Sequence, residues 1–298
     1  MKTSIIIPAR NEQFLVPTVA DVLSKARGDI EVIAVLDGYW PNPMPADHPN
    51  LRLLHVAPAR GMRPGITAAA RMATGDFIMK LDGHCMVAEG FDEQLKADYL
   101  EDDWILTPRR YPLDAENWTI EEGNPKYPID YEYLSYPFER LDDPTCGLHG
   151  TFWTARRDAR KDIMLDEDMS SQGSCWFMSR SNWERITPLR VDLFGNFYGE
   201  SQEIGLQTQM RGGAMMRTKN TWYAHLRKGK KYGRGYALGA EGHRRGAYAM
   251  LRMCMLNEWP GQTKTLQSLV ERFMPVPGWP ADLDKCFAEA KARISGAV

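Results

Sequence analysis

With 298 residues, 43% of them hydrophobic and 26% charged, the chain has the composition of an ordinary globular protein able to bury a sizeable core. No window approaches the eighteen or so apolar residues of a membrane helix, and the apolar run in MKTSIIIPARNE is too short for a signal peptide, which predicts no stable membrane insertion. The net charge of −2 hides a segregation: eleven Lys/Arg and one acid, Glu241, lie between Arg211 and Arg252, whereas 89–143 is rich in Asp and Glu. Such a split points to a surface that meets an anion. Cys85, Cys146, Cys175, Cys254 and Cys286 are scattered, odd in number and without a CxxC pair, so neither a disulfide framework nor a cysteine zinc site is expected. A reducing, cytoplasmic setting fits.

Strands and helices alternate through the first hundred residues. Ser4–Pro8 reads as a buried parallel strand, Thr18–Ala26 as a helix stopped by Gly28, and Ile30–Leu36 as a second strand running into Asp37-Gly38. After a proline-rich loop at 41–49 come a third strand, Leu51–Val56, a small-residue helix, Ile66–Thr74, and a fourth strand, Phe77–Leu81. This alternation predicts an α/β fold with a mostly parallel central sheet flanked by helices. Residues 107–170 have weak periodicity and read as excursions on the substrate side rather than as a core of their own. Cys175–Ser179 is a further strand, Ser201–Arg211 a helix, Ala214–Arg217 a short strand, and the chain beyond Tyr236 is helical with a break at 274–280. The expected organisation is a catalytic domain over 1–235, with halves at about 1–106 and 107–235, and a helical C-terminal extension over 236–298 packed on it.

Ligands of parallel sheets bind at the carboxyl ends of the strands, where Asp37 and Asp82 fall. Asp82-Gly83-His84 sets an oxygen and a nitrogen ligand two residues apart at a strand end, and the glycine lets the chain turn so that both face one divalent ion. Alone the tripeptide is a weak signal, more readily read as an Asp-Gly turn with an incidental histidine.

The surrounding segments strengthen it. Ser4–Glu12 (SIIIPARNE), Val35–Gly38, Arg60–Gly75 and Asp76–Cys85 (DFIMKLDGHC), in this order, resemble the nucleotide-binding half of family 2 glycosyltransferases. The nearest likeness in motif is to the catalytic domain of the polypeptide N-acetylgalactosaminyltransferases, whose metal motif is Asp-x-His. Gly173–Phe177 (GSCWF), Tyr198–Gly213 (YGESQEIGLQTQMRGG) and Ala224-His225-Leu226 continue it, so the resemblance spans roughly 3–228. It implies a GT-A fold, a UDP-linked sugar donor, and Mn²⁺ or Mg²⁺ held by Asp82, His84 and His225. It also implies a nucleotide pocket from Pro8, Ala9, Arg10, Glu12, Asp37, Arg60, Arg63, Asp82 and Gly83. Glu200 and Glu203 are the candidate bases; Ser201 stands where inverting members usually carry an acid, which tilts the expectation towards retention.

The acceptor is open. HLRKGKKYGRGYALGAEGHRRG reads either as a lid over the diphosphate or as a track for a phosphate backbone, with Lys228, Lys230 and Lys231 on phosphates and Tyr232 or Tyr236 stacking on bases. The track implies DNA with a hydroxymethylated pyrimidine, as bacteriophage glycosyltransferases modify, and a host-cytoplasm setting if the chain is viral. Trp176, or Trp104, Trp118 and Trp153, would instead receive a polysaccharide, glycolipid or peptide acceptor. A nucleotidyltransferase would need a lysine-containing glycine-rich loop, which PARNEQF is not. A catalytically inactive nucleotide-sugar or nucleic-acid binding module would need no metal pair.

Overall fold

Thr3–Ala9, Ile30–Asp37, Phe77–Leu81 and Cys175–Ser179 form central strands in which every residue is buried, whereas Leu51–Val56 is an edge strand and only partly buried. The computed structural model describes residues 1–138, 147–186, 189–236 and 239–295. Through the first hundred residues the order is β1 (Thr3–Ala9), α1 (Leu15–Lys25), β2 (Ile30–Asp37), β3 (Leu51–Val56), α2 (Met62–Met72), β4 (Phe77–Leu81), β5 (Cys85–Val87) and α3 (Phe91–Asp98). Then follow β6 (Trp104–Asp114), β7 (Thr119–Ile120), β8 (Glu132–Leu134), β9 (Gly150–Phe152), α4 (Thr154–Ala159), β10 (Leu165–Glu167), β11 (Cys175–Ser179), α5 (Arg180–Arg185), α6 (Val191–Phe194) and α7 (Glu200–Met210). The last are β12 (Ala214–His225), the short α8 (Gly229–Tyr232), α9 (Ala240–Met255), α10 (Leu266–Phe273) and α11 (Leu283–Ser295). No helix among the described residues is long and apolar enough to cross a membrane. Cys85, Cys175, Cys254 and Cys286 are buried and unbridged, and Cys146 lies outside the described residues.

One sheet runs β10-β12-β6-β11-β4-β1-β2-β3, with β5 added to β12 and β7 to β6. Strands β1 to β4 are mutually parallel where they pair. Next to β4, β11 runs antiparallel to both β4 and β6, and β12 is parallel to β6. The carboxyl ends of β1, β2, β4 and β12 therefore meet on one edge of the sheet. Along β1 the side chains alternate, Ile5 and Ile7 packing with Leu15, Val19, Phe91 and Leu95 on one face, Ile6 with Ile66, Ala69 and Ala70 on the other. Burial of each such aliphatic side chain contributes about 1.5–3 kcal/mol.

Four departures from the sequence reading have physical causes. Helices α1 and α2 start earlier than expected because Pro17 and Pro64 sit in their first turns, where a missing N–H costs nothing. Strand β12 is twelve residues long, not four: its polar middle hides a strand that shifts register between Thr218 and Trp222. Strand β6 was masked by Pro108, Pro112 and two arginines; buried Arg110 is accommodated by Gln172 Oε1 at 2.5 Å and by the face of Phe152. Finally, 107–170 does contribute to a core: Tyr131, Leu134, Leu148, Trp153 and Met169 pack with Met250, Leu269, Trp279 and Phe287 of the C-terminal segment.

Candidate active site

Asp82 follows the last residue of β4, and the chain then turns through Gly83 and His84 into β5. Strand β5 pairs not with β4 but with the end of β12, placing Cys85 opposite His225. The His84 carbonyl accepts the Leu226 N–H at 3.1 Å, so two histidines 141 positions apart in sequence become neighbours with ring centroids 4.8 Å apart. His225 Nε2 lies 3.3 Å and His84 Nε2 3.9 Å from Asp82 Oδ2. One ligand atom from each of the three residues falls within 4.8 Å of the others. Gly83 is needed here for space rather than for a left-handed turn: a Cβ would stand 2.9 Å from Glu12 Cγ.

The neighbours orient these side chains. Glu12 Oε2 meets His84 Nδ1 at 2.9 Å, which leaves Nε2 towards Asp82 and forms the carboxylate–histidine pairing that commonly supports a metal-bound imidazole. Glu12 also accepts from Lys228. Burial works to raise the Glu12 pKa, but His84 and Lys228 together hold it below the usual carboxylate value. Burial would likewise raise Asp82; the Lys80 ammonium, then the His225 hydrogen bond, outweigh it and keep the carboxyl well below its usual range. For His225, burial dominates and pushes the pKa down to about 3, against the pull of Asp82. Its Nδ1 is buried and has no hydrogen-bond partner among the described residues. A neutral imidazole with a spare buried nitrogen, beside an ionised carboxylate and an oriented second imidazole, fits a divalent metal.

The other expected residues separate into two groups. Pro8 and Ala9 end β1 beneath the site, and Arg10 Nη1 lies 3.9 Å from Asp37 Oδ2. Asp37 is buried, its carboxylate accepting the backbone N–H groups of Arg60 at 2.6 Å and Gly61 at 2.9 Å, while the Arg60 side chain is exposed. Glu200, at the start of α7, accepts from Trp176 Nε1 at 3.0 Å and lies 3.6 Å from Lys80 Nζ. Arg63, Glu203 and Trp176, by contrast, are corrected. Arg63 and Glu203 are fully buried and paired with each other, so neither reaches a nucleotide or serves as a base. Trp176 is buried and stacked on Trp183, so it offers no platform to an acceptor; Trp153 is buried too.

The basic segment after His225 folds back over the strand ends. Lys228 is little exposed and held by Glu12, which corrects it as a free phosphate contact; Lys231 pairs with Glu116 at the surface and, like Lys230, is exposed. Tyr232 donates to Glu116 at 3.0 Å and sets its ring edge-on to Phe14. Gly235 lies so close to the Arg10 carbonyl that a Cβ would be 1.8 Å from it, and Tyr236 stacks on Phe197. Sequence reasoning missed Lys80, which the fold places against Asp82 and Glu200. The signal for Lys80 was present, a lysine within an otherwise apolar strand.

A parallel nucleotide-side half, a mixed second half and an Asp-x-His pair at the strand ends define a GT-A type of glycosyltransferase fold. The chain belongs to glycosyl transferase family 2, whose family model matches residues 4–164. Among solved structures, it is similar to GalNAc-T7 with UDP, GalNAc and Mn²⁺, at 13% identity and a TM-score of 0.61 over 98% of this chain and 55% of that one. It is also similar to S. aureus TarS 1–349 in complex with UDP, at 12% identity and a TM-score of 0.56 over 91% of this chain and 70% of that one. A second S. aureus TarS structure gives 0.53 and 12% over 86% and 39%. The chain thus spans about half the length of GalNAc-T7. No curated protein matches it by sequence.

Proposed function

We propose that the chain is a metal-dependent glycosyltransferase that carries a sugar from a UDP-linked donor to an acceptor hydroxyl. The observation that carries this reading is the convergence of Asp82, His84 and His225 at the carboxyl edge of the sheet, with Glu12 orienting one ligand and Lys80 another. The fold neighbours support the donor, GalNAc-T7 having been solved with UDP and Mn²⁺ and TarS with UDP. Mn²⁺ or Mg²⁺ held by these three side chains would neutralise the charge on the departing diphosphate. Arg10, exposed Arg60 and the loop that Asp37 caps would bind the nucleoside and its phosphates, and the segment from Lys228 to Tyr236 would exclude water above them.

Retention of anomeric configuration is the stereochemistry favoured here, because a base is poorly provided for. Ser201 donates to the Ser171 carbonyl at 2.7 Å, Glu203 is paired with Arg63, and Glu200 is committed to Trp176 and Lys80. The test is a thermal-shift panel of nucleotide sugars with and without Mn²⁺, followed by NMR of the anomeric proton in the product. Stabilisation by a UDP-sugar only when Mn²⁺ is present is expected; stabilisation indifferent to metal would refute the metal assignment.

One observation favours DNA as the acceptor: Arg227, Lys230 and Arg234, in the segment that follows His225, are exposed, as are Arg244 and Arg245 further along. Replacing Lys230 and Arg234 by alanine should then reduce the salt dependence of DNA binding by roughly 0.9 for each phosphate that these side chains neutralise, with donor hydrolysis spared. A flat salt response would direct the search to a polysaccharide, glycolipid or peptide.

A further inference from the structure

Lys80 lies within β4, whose other members, Phe77, Ile78, Met79 and Leu81, are all buried and apolar. Its own side chain is 1% exposed. A buried ammonium persists only against compensating charge, and the compensation here is specific. Lys80 Nζ donates to Asp82 Oδ1 at 2.5 Å and to the Gly173 carbonyl, and lies 3.6 Å from Glu200 Oε1. Asp82 Oδ2 is left as the oxygen turned towards His84 and His225.

We infer that Lys80 is a positioning residue that occupies one oxygen of Asp82 and offsets its charge, so that the site takes up a divalent ion only together with the diphosphate of the donor. The inference rests on the metal-dependent reading above. Asp82 and Glu12 face the two histidines, and Glu200 lies behind them against Lys80. Lys80 and Lys228 contact these carboxylates, and the charge of Arg110 reaches His225. Three anionic groups thus face three cationic ones. A cation arriving alone meets little net negative charge, and it meets an ammonium directly behind the one carboxylate on offer. At that range, inside the protein, repulsion from one unit charge rivals attraction to another. A diphosphate supplies the missing anionic oxygens, the arrangement in which small divalent ions are held by one or two carboxylates plus substrate phosphates.

The test compares the wild-type protein with Lys80→Met, which keeps length and bulk and removes the charge. Mn²⁺ is titrated by calorimetry into each without nucleotide, then with UDP. Wild type is expected to bind Mn²⁺ at least about tenfold more weakly without UDP than with it, a difference of about 1.4 kcal/mol. Lys80→Met is expected to bind Mn²⁺ alone at least about tenfold more tightly than wild type. Its melting temperature without metal falls, since Asp82 and Glu200 lose their shared counter-ion, and Mn²⁺ alone raises it again while leaving wild type unmoved. If Lys80→Met does not fold, the double variant Lys80→Met/Glu200→Gln removes the second stranded carboxylate and carries the same expectation for Mn²⁺ alone. A residue that merely held the strand together would weaken Mn²⁺ binding when replaced. Unchanged or weaker binding of Mn²⁺ alone by the variant, with UDP-dependent binding intact in wild type, overturns this inference and leaves the metal-dependent reading standing. Failure of wild type to bind Mn²⁺ even with UDP overturns both.

Discussion

Replacing Arg63 by methionine separates the expectation drawn from its position in the sequence from the role the fold gives it. Its guanidinium and the Glu203 carboxylate are both 0% exposed. Nε donates to the Tyr198 carbonyl at 2.8 Å, a second nitrogen to the same oxygen and a third to Glu203, with the cation 5.1 Å above the Phe194 ring. Removing one partner of such a pair typically costs about 3–5 kcal/mol, because the remaining charge is stranded. The Tyr198 carbonyl, left without these donors, adds to the cost, while protonation of Glu203 relieves part of it. The net expectation is a loss of about 4 kcal/mol in unfolding free energy, followed by urea titration of tryptophan fluorescence. Burial already raises the Glu203 pKa against the pull of Arg63, so the variant should lose less at pH 5 than at pH 8. Arg63→Met/Glu203→Leu should recover about 2 kcal/mol or more, since an apolar pair of similar bulk replaces a buried ion pair at little cost. UDP affinity at low temperature should stay within about twofold. A variant as stable as wild type that binds UDP about tenfold more weakly would refute this reasoning and return Arg63 to the diphosphate.

Asp82→Ala and His84→Ala should each abolish Mn²⁺ binding in the presence of UDP with a cooperative melt retained; calorimetry checks this, and an unchanged isotherm for either would remove it from the site. His225→Ala should weaken Mn²⁺ binding less than Asp82→Ala, because it removes one neutral ligand and no charge. Glu12→Gln should weaken it about 10–100-fold by releasing the orientation of His84, whereas an unaltered isotherm would leave Glu12 as a partner of Lys228 only. Glu31 joins β2 to Ser4 and Thr74; burial raises its pKa, but those hydrogen bonds and Lys2 bring it below the usual glutamate value. Its stabilisation is present above the unfolded value and lost as pH falls through the folded one. Glu31→Gln should therefore cost about 1 kcal/mol at pH 7 and flatten the acid limb of the stability curve, as measured by urea unfolding across pH.

Much of the nucleotide side was legible in the sequence because it is local. Leu51–Val56, Phe77–Leu81 and Cys175–Ser179 are apolar runs closed by turn residues, and they are the strands β3, β4 and β11. Asp82 and His84 sit two residues apart at a strand end, so a single turn suffices to bring them together. His225 was legible only through the family likeness, since nothing in WYAHL distinguishes a ligand from a partly buried histidine.

The roles of Arg63, Glu203, Trp176, Glu12 and Lys80 were decided by the tertiary structure alone. An arginine in the first turn of α2 can face a nucleotide or the core with equal ease, and Glu203, 140 positions later, decides for the core by waiting there fully buried. Glu12 became the partner of His84 because Gly83 leaves room for its approach. Hydrophobic periodicity and turn chemistry act over a few residues, and they determined which segments are strands and where their ends lie. Burial and charge partnership depend on strand pairings between residues far apart in the chain, such as β5 with β12. Those pairings determined which charged side chains face the ligand site and which hold the fold.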